Sequence, residues 1–345
     1  MPRPVSNPPN PWHTAHVDWL GEPPPARLEV FEEEAKSILS ENDSPDIGFR
    51  YSLNPYRGCY HGCAYCYARP SHQYLGYGAG TDFDRKLVAK TNAPELLRAA
   101  FLRPSWRGEW VALSGNTDCY QPLEAAYGLT RRCLEVFLEF RNPVGVITKG
   151  ALIRRDADLL AELARVARAT VTISIPFADD ETGRKVEPYA SKSSERFAAM
   201  RALADAGVPV GINIAPVIPG LSDSDIPELL ERARDAGARR AHIQMLRLPA
   251  EVLPVFDERM AAAFPEERKR KIDSALVAIR GGGGKRNESR FGARMTGVGP
   301  RWAVLEALFQ QHARRLGLHH DDRWCEPADT FRRPPPRQTT LFPME

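Results

Sequence analysis

Hydrophobic and polar positions follow two alternating patterns from Arg50 onward. Short runs rich in β-branched residues indicate strands, and longer runs with apolar positions at helical spacing indicate amphipathic helices. The predicted strands are Arg50–Asn54, Glu109–Ser114, Val144–Thr148, Thr170–Pro176, Pro209–Ala215 and Arg240–Leu246. The predicted helices are Ala93–Leu102, Leu123–Phe140, Asp156–Arg168, Ser191–Ala206 and Asp223–Ala236. After the first unit, strands recur at about 30 to 35 residues, the length of a strand, a crossover helix and a return.

Two of these helices end in the same way, in Asp205-Ala206-Gly207 and Asp235-Ala236-Gly237, and a strand follows each. A Gly just past the last periodic residue stops a helix in a left-handed conformation, so the chain turns directly into the next strand. Such crossovers are right-handed and make the sheet parallel. The pattern predicts an α/β fold with a partial (β/α)6 TIM-like barrel, and an open doubly wound sheet is the alternative.

Composition divides the chain into four segments. Residues 1–49 are Pro-rich, carry the acidic cluster Glu32-Glu33-Glu34, and are predicted to form an N-terminal arm with a short helix. Residues 50–250 form the predicted barrel, and residues 251–320 a helical C-terminal extension. Residues 321–345 are a Pro-rich tail. The helices predicted in the extension are Asp257–Phe264, Glu266–Ile279 and Arg301–Leu316.

A Gly/Arg-rich stretch, Arg280–Arg301, separates the last two of these helices. It combines seven glycines and Phe291 with a set of cations that only Glu288 opposes: Arg280, Lys285, Arg286, Arg290, Arg294 and Arg301. Glycine lets backbone approach a ligand, and the Arg fork matches phosphate. We expect this stretch to fold over the barrel mouth and contact a phosphorylated or nucleic-acid substrate; the alternative is a mobile, solvated loop.

The composition excludes several classes of protein. With 345 residues, 43% hydrophobic and 26% charged, the chain buries a substantial core. The balance of 47 Lys and Arg against 44 Asp and Glu gives no global case for a polyanion partner. No apolar run approaches the roughly 18 residues that a membrane span needs, and the N-terminus lacks signal-peptide features. We therefore expect a cytoplasmic protein with no membrane partner.

Three of the six cysteines lie within eight residues, with the spacing C-x3-C-x2-C: Cys59, Cys63 and Cys66. Thiolates suit iron-sulfur clusters and zinc, and short spacings let one loop surround a single centre. Three ligands on a cubane leave one iron open to a cofactor or substrate. The alternative is a zinc site with His61 as the fourth ligand, although zinc prefers a second ligand pair further along the chain. The other cysteines, Cys119, Cys133 and Cys325, are isolated.

This spacing, with an aromatic residue before the last Cys and a position after the first strand of a βα repeat, resembles the radical S-adenosylmethionine (SAM) superfamily. Further motifs, in the same order, resemble its spore photoproduct lyase-like branch and the Rv2578c-like or PA0069-like radical proteins within it. These motifs are Tyr65-Cys66-Tyr67, Ser114-Gly-Asn-Thr117-Asp118, Thr148-Lys149-Gly150, Ser174-Ile-Pro176, Glu187-Pro188 and Gly211-Ile-Asn213-Ile-Ala-Pro216-Val-Ile-Pro219-Gly220.

The resemblance implies a [4Fe-4S] cluster at the C-terminal mouth of the barrel, held by Cys59, Cys63 and Cys66. S-adenosyl-L-methionine would chelate the fourth iron and be cleaved by one electron to methionine and a 5′-deoxyadenosyl radical. An external one-electron donor such as flavodoxin or ferredoxin would supply that electron. The protein's task in such chemistry is positioning and the exclusion of water.

The resemblance also implies cofactor-binding residues at the strand ends. Thr117 and Asp118 would bind the methionine amino group, although the family's frequent Gly-Gly-Glu motif is absent here. Lys149 and Ser174 would meet the methionine carboxylate. Ribose and adenine would be bordered by Asn213 and Pro216.

Three residues are predicted to take part in catalysis: Tyr65, Tyr67 and Cys119. The tyrosines match those flanking the last cluster Cys in spore photoproduct lyases. Those lyases also carry a hydrogen-donating Cys where this chain has Gly115, so repair of the same lesion by the same route is not expected. Cys119 lies four residues further on.

The leading hypothesis is a SAM-dependent radical enzyme that abstracts hydrogen from an unknown substrate, with nucleic acid favoured by analogy alone. A non-catalytic iron-sulfur protein that transfers electrons or senses redox state is the second hypothesis. A nucleic-acid-binding module with a structural metal is the third.

Overall fold

The computed structural model describes residues 27–319 and 329–335. The strands, in chain order, are β1 (Glu29–Glu33), β2 (Leu39–Glu41), β3 (Tyr51–Leu53), β4 (Tyr56–Arg57), β5 (Lys86–Lys90), β6 (Val111–Leu113), β7 (Val144–Thr148), β8 (Ala169–Ser174), β9 (Val210–Val217) and β10 (Arg240–Met245). The α-helices are α1 (Thr81–Arg85), α2 (Ala93–Leu102), α3 (Glu124–Tyr127), α4 (Leu129–Phe140), α5 (Ala157–Val166), α6 (Asp180–Val186), α7 (Ser193–Asp205), α8 (Ile226–Asp235), α9 (Leu253–Ala263), α10 (Glu266–Ile279) and α11 (Gly299–Arg315).

The main sheet has seven strands in the order β10-β9-β8-β7-β6-β3-β2. All neighbours are parallel except β2 and β3, and the register aligns Val111 with Val144 and Val144 with Ala169. The parallel strands follow chain order with no reversal, whereas a doubly wound sheet needs a point where the order reverses. With right-handed crossovers, every connecting helix then lies on one face. The six predicted strands therefore form the partial (β/α)6 barrel, with β2 and β10 as unjoined edges.

One predicted helix, Leu123–Phe140, is divided in the structure into α3 and α4. The division falls at Gly128, which has a φ of 61°. The Glu124 carboxylate, from α3, accepts hydrogen bonds from the backbone N–H groups of Thr130 (2.9 Å) and Arg131 (3.3 Å) at the start of α4. A carboxylate on these otherwise unpaired donors stabilises a new helix start, so the continuous helix was a wrong prediction.

The described part of the N-terminal arm contains strands rather than the predicted short helix. The acidic cluster begins inside β1, which pairs in parallel with β5, and β5 pairs in antiparallel fashion with β4. Glu33 also binds Arg57 of β4 through an ion pair at 3.1 Å. Pairing with a distant strand outweighs the local helical preference here. The arm before residue 27 and most of the predicted tail lie outside the described residues.

The C-terminal extension connects the two edges of the main sheet. Just beyond Ile279, the Gly/Arg-rich stretch runs along β10, where the Met245 N–H donates to the Met295 carbonyl at 3.0 Å. Arg294 from the same stretch binds Asp46 and donates to the Ser44 hydroxyl at 2.6 Å. Ser44 and Asp46 lie in the loop between β2 and β3, so the stretch spans the open side of the barrel.

The small sheet β1-β5-β4 leads directly into the cysteine loop, residues 58–68, through Gly58. This residue has a φ of 70°, and a Cβ there would lie 2.9 Å from the His72 ring, the Leu87 side chain and the Phe83 carbonyl oxygen. Gly128 has a similar φ of 61°, yet nothing lies within 4 Å of its Cβ position. The two glycines therefore share backbone strain and differ in crowding.

We expect Gly58→Ala to lower the free energy of unfolding by about 1–3 kcal/mol more than Gly128→Ala, because overpacking adds to the strain common to both. Urea denaturation followed by circular dichroism measures the difference. Equal losses in the two variants would show that Gly58 is needed for its backbone conformation alone.

Candidate iron-sulfur and cofactor site

The cysteine loop is a succession of tight turns beyond β4. The Cys59 N–H donates to the Phe83 carbonyl at 3.0 Å, and turns of 3.3 Å join Gly62 N–H to the Cys59 carbonyl and Cys66 N–H to the Cys63 carbonyl. Gly62 has a φ of 63°, so it and Gly58 supply the left-handed turns of the loop. One loop therefore presents all three thiols at the carboxyl end of the parallel sheet.

The three thiols have the chemistry of ligands for a soft metal centre. Cys59 and Cys63 are buried, Cys66 is partly exposed, and all three are free. Burial raises the pKa of each thiol. Asp118 and the other two thiols raise the pKa of Cys59 further, and Glu187 and Cys66 do the same for Cys63. A positively charged centre would offset this, since thiolates form where cations surround them. The donor set therefore fits an iron-sulfur cluster.

The zinc alternative needs His61 beside these thiols, but the structure directs its Nδ1 atom toward Asp118 at 3.4 Å. Within residues 27–319 and 329–335, no three His, Cys, Asp or Glu side chains are arranged to hold a single metal ion.

Arg69 supports the loop from within the protein. Its side chain is fully buried, and Nη2 and Nε donate to the Cys63 carbonyl at 2.8 and 3.2 Å. Nη1 donates to the carbonyls of Ala79 (3.0 Å) and Gly80 (2.8 Å), and Nη2 pairs with Asp84 at 2.8 Å. The guanidinium thus has a partner on every nitrogen, as a buried charge requires.

Arg259 supports the same loop from helix α9 of the C-terminal extension. It donates to the Gly62 carbonyl and pairs with the other oxygen of Asp84. Asp84 is therefore held between two guanidinium groups, each of which also binds a carbonyl of the cysteine loop. The extension is in this way part of the site.

Tyr65 joins the loop to the end of β8. Its hydroxyl donates to Glu187, which forms an ion pair with Arg196 at 2.5 Å. Arg196 in turn donates to the carbonyls of Ser174 (2.9 Å) and Ser191 (2.7 Å). The phenol of Tyr65 is committed to this buried network, so the structure gives it a positioning role.

Asp118, predicted to bind the methionine amino group, is occupied by donors from the protein. Its carboxylate accepts hydrogen bonds from the Thr148 hydroxyl (2.6 Å) and the N–H groups of Lys149 (2.7 Å) and Tyr120 (2.9 Å), and it faces His61. Burial opposes its charge, but His61 and these donors hold the pKa of Asp118 well below its usual range. The carboxylate joins the ends of β6 and β7 and so acts as a positioning residue.

Thr117 lies beside it with an unused hydroxyl. Its Oγ1 atom is buried and has no hydrogen-bond partner among the described residues, whereas its backbone N–H donates to Asn54 Oδ1 at 3.1 Å. Ser114 and Gly115, just before it, both have positive φ, of 105° and 104°. Strained backbone and an unpaired buried hydroxyl at a strand end are features of a ligand site.

Lys149 projects from the end of β7 toward the thiols. Its ammonium lies 5.8 Å from the centre of the Tyr65 ring and lowers the pKa of Cys63 and Cys66. In the part of the chain that the structure describes, no carboxylate forms an ion pair with it. Ser174 at the end of β8 is the register partner of Asn213 in β9, and Pro216 lies three residues further along β9.

The remaining predicted catalytic residues differ in access. Tyr67 is 47% exposed at the mouth, and its hydroxyl donates to the Gly115 carbonyl. Cys119 is fully buried in the main core, and its carbonyl accepts the Thr130 hydroxyl at 2.6 Å. The catalytic role of Cys119 stays a prediction, made for a thiol that lies inside the core.

The cations of the Gly/Arg-rich stretch are mostly used inside the protein. Arg286 binds both Asp257 (2.6 Å) and Asp273 (2.9 Å). Arg294 binds Asp46, and Arg301 binds Asp223. Arg280 donates to the backbone carbonyls of Thr296 and Leu246. Arg290 pairs with Glu288 on the surface. Five of the six cations therefore have partners within the protein, and contact of this stretch with a phosphorylated or nucleic-acid substrate stays a prediction.

We expect Arg259→Met to open the cysteine loop. Hydrogen bonds to charged groups contribute about 1.5–3 kcal/mol, so the open population should rise about ten- to hundredfold. The measurement is the rate at which a thiol reagent modifies Cys63 in the metal-free protein. Arg286→Met is the matched control, since it removes an ion pair of the same extension away from the loop. Equal rates in both variants would contradict a specific role for Arg259.

No helix among the described residues has the length and apolar character of a membrane span.

Comparison with known proteins adds to this geometry. A family model described as the radical SAM superfamily matches residues 53–233. Uncharacterized protein Rv2578c of Mycobacterium tuberculosis strain H37Rv is 40% identical over 234 residues, 67% of this chain and 69% of that protein. The radical SAM Nalpha-GlyT isomerase of Pseudomonas phage M6 is 25% identical over 266 residues, 76% of this chain and 51% of that protein.

A solved structure of spore photoproduct lyase complexed with dinucleoside spore photoproduct matches with a TM-score of 0.62 at 16% identity, covering 84% of this chain and 80% of that one. This likeness concerns the fold and agrees with a partial barrel. The family model spans more than half of the chain and includes all three clustered cysteines. The chain belongs to the radical SAM superfamily, whose members are enzymes that use a [4Fe-4S] cluster and S-adenosylmethionine.

Proposed function

We propose that this enzyme holds a [4Fe-4S] cluster on Cys59, Cys63 and Cys66 and abstracts hydrogen from a nucleic-acid-related substrate at the barrel mouth. The observation that carries the proposal is the group of three free thiols, two of them buried, on one loop held by Arg69 and Arg259, beside the Lys149 ammonium and the unpaired Thr117 hydroxyl. Held by these three residues, the cluster would supply reductive cleavage of SAM, with one electron from an external donor, to methionine and a 5′-deoxyadenosyl radical, and that radical would remove the hydrogen atom.

The chain's own residues then bind and orient the cofactor. Lys149, which has no carboxylate partner among the described residues, binds the methionine carboxylate, and the Ser174 hydroxyl assists it. Thr117 Oγ1 accepts a hydrogen bond from the methionine amino group, while Asp118 keeps Lys149 in place through its backbone N–H. The ribose and adenine lie against β9, beside Asn213 and Pro216.

Among the residues predicted to act in hydrogen transfer, Tyr67 is the one with access to a substrate. It is 47% exposed, against 6% for Tyr65 and 0% for Cys119. We therefore place the substrate beside Tyr67 and Gly115.

Support for the substrate class comes from the relatives. The solved lyase is complexed with a dinucleoside, and this chain shares its fold. Fold likeness alone does not determine a reaction, so the substrate class rests on analogy. Gly115 replaces the lyases' hydrogen-donating Cys, which favours a different fate for the substrate radical.

We expect single Ala variants of Cys59, Cys63 and Cys66 to lose the cluster and the formation of 5′-deoxyadenosine. The assay is anaerobic reconstitution, iron analysis, and incubation with dithionite and SAM. Cys133→Ala is the matched control, because this thiol is buried in the core far along the chain from the loop. A redox-active cluster that leaves SAM intact would favour the electron-transfer hypothesis, and a colourless zinc protein would favour the structural-metal hypothesis.

We expect Lys149→Met to weaken SAM binding about ten- to hundredfold, because a charge-assisted hydrogen bond contributes about 1.5–3 kcal/mol. Ser174→Ala should act in the same direction. Equilibrium dialysis with reconstituted protein measures the affinity, and iron content must stay unchanged. Lys185→Met, which removes an exposed lysine paired with Glu181, is the control. Unchanged affinity in both site variants would remove these residues from the cofactor site.

A further inference from the structure

Arg247 follows the last strand of the barrel, β10, and was not singled out by any sequence motif. It lies at the carboxyl end of the sheet, the same end as the cysteine loop. Its side chain is partly buried, and its Nε atom is buried with no hydrogen-bond partner among the described residues. An unpaired N–H of a guanidinium is costly in the absence of a ligand, so it requires an explanation.

The backbone on both sides of Arg247 is fixed. The Leu246 N–H donates to the Val217 carbonyl at 3.1 Å, and the Leu246 carbonyl accepts Arg280 Nη2 at 2.5 Å. The Leu248 N–H donates to Asn287 Oδ1 at 3.1 Å. Two of these partners belong to the extension and its Gly/Arg-rich stretch. The guanidinium is therefore presented from a rigid position, which lowers the entropy lost when it binds a ligand.

The charges around Arg247 leave it without a counterion. Burial and the Arg294 guanidinium lower the pKa of Arg247, whereas the Tyr67 phenol and Asp46 act in the opposite direction. Asp46 is already bound by Arg294 and by the Gly292 N–H at 2.5 Å. In the described ranges, no carboxylate forms an ion pair with Arg247. The guanidinium, with its unpaired Nε, is thus available to an anion.

Arg247 and Lys149 act on different parts of the mouth. The Lys149 ammonium lies 5.8 Å from the centre of the Tyr65 ring, which belongs to the cysteine loop. Arg247 interacts with Tyr67, whose hydroxyl reaches the Gly115 carbonyl on β6's side. A carboxylate of the cofactor would lie with Lys149, and an anion at Arg247 would belong to another molecule.

We propose that Arg247 binds an oxoanion of the substrate, a phosphate or a carboxylate, and so positions the substrate against Tyr67. The planar guanidinium fork matches an oxoanion through two parallel hydrogen bonds, and Nε is one of its donors. This inference rests on the proposed function, since it assigns the substrate side of the same mouth. It also explains why the mouth carries a cation that forms no ion pair with an acidic residue of the described chain.

The experiment is protection of Arg247 from phenylglyoxal, an arginine reagent, in anaerobically reconstituted protein, with peptide mass spectrometry as the readout. Inorganic phosphate, acetate and SAM are tested separately. An anion at four times its Kd should slow modification of Arg247 about fivefold. Arg290, exposed and paired only with Glu288, is the internal control and should be unaffected.

A second measurement does not depend on access of the reagent. The ³¹P line of inorganic phosphate should broaden with wild type and with Arg290→Met, and broaden much less with Arg247→Met. Iron content and SAM affinity should be the same in all three proteins. A change in SAM affinity with Arg247→Met would place this residue in the cofactor site and overturn the proposal.

The outcomes separate the sources of the anion. Protection by phosphate alone supports a phosphate-bearing substrate, and protection by acetate alone supports a carboxylate. Protection by SAM alone, equal protection of Arg290, or no protection with unchanged ³¹P broadening in Arg247→Met would each overturn the proposal. Wild-type protein that binds phosphate at Arg247 but does not cleave SAM would instead contradict the proposed function, so the two failures are distinguishable.

Discussion

The buried contact between Arg69, Asp84 and the Cys63 carbonyl is the constraint on which the site depends. A charge taken out of water destabilises a protein unless it is paired and hydrogen-bonded, and here Arg69 binds carbonyls with every nitrogen while Asp84 is held on both oxygens. The energy of this arrangement is lost in full if one partner is removed. The loop that carries the three thiols is therefore fixed by the protein before any metal binds.

The sequence predicts the barrel well because a strand and its crossover helix are local features. Hydrophobic runs between Arg50 and Leu246 identify all six parallel strands, and the order of the chain gives the order of the sheet. The small sheet β1-β5-β4 was not predicted. Its strands are short, five residues in β1 and two in β4, and so few residues show little hydrophobic alternation. The break at Gly128 was missed for a related reason. It depends on hydrogen bonds from the first backbone N–H groups of α4 to the Glu124 carboxylate, which the sequence pattern does not show.

The same distinction applies within the site. The cysteines and the strand-end residues Thr117, Lys149 and Ser174 follow from their positions, because the carboxyl ends of parallel strands meet at one edge. The partners of these residues do not, since Arg259 and Asp84 are 175 positions apart and Arg294 and Asp46 are 248 apart. Charge patterns along the chain cannot show which acid will meet which base. The Gly/Arg-rich stretch therefore resembles a free basic patch in sequence and is neutralised in the structure.

Ion pairs formed by other cations of this protein make the cations without an acidic partner stand out as candidate anion-binding groups. Several half-buried arginines in this protein have acidic partners, as with Arg286 beside Asp257 and Asp273, and Arg259 beside Asp84. Lys149 and Arg247 lack such partners within the described chain and lie at the mouth of the barrel. An unpaired cation near a low-dielectric interior is unfavourable in the empty protein and favourable once an anion binds. Under the two proposals, Lys149 serves the cofactor near the thiols and Arg247 serves the substrate near Tyr67.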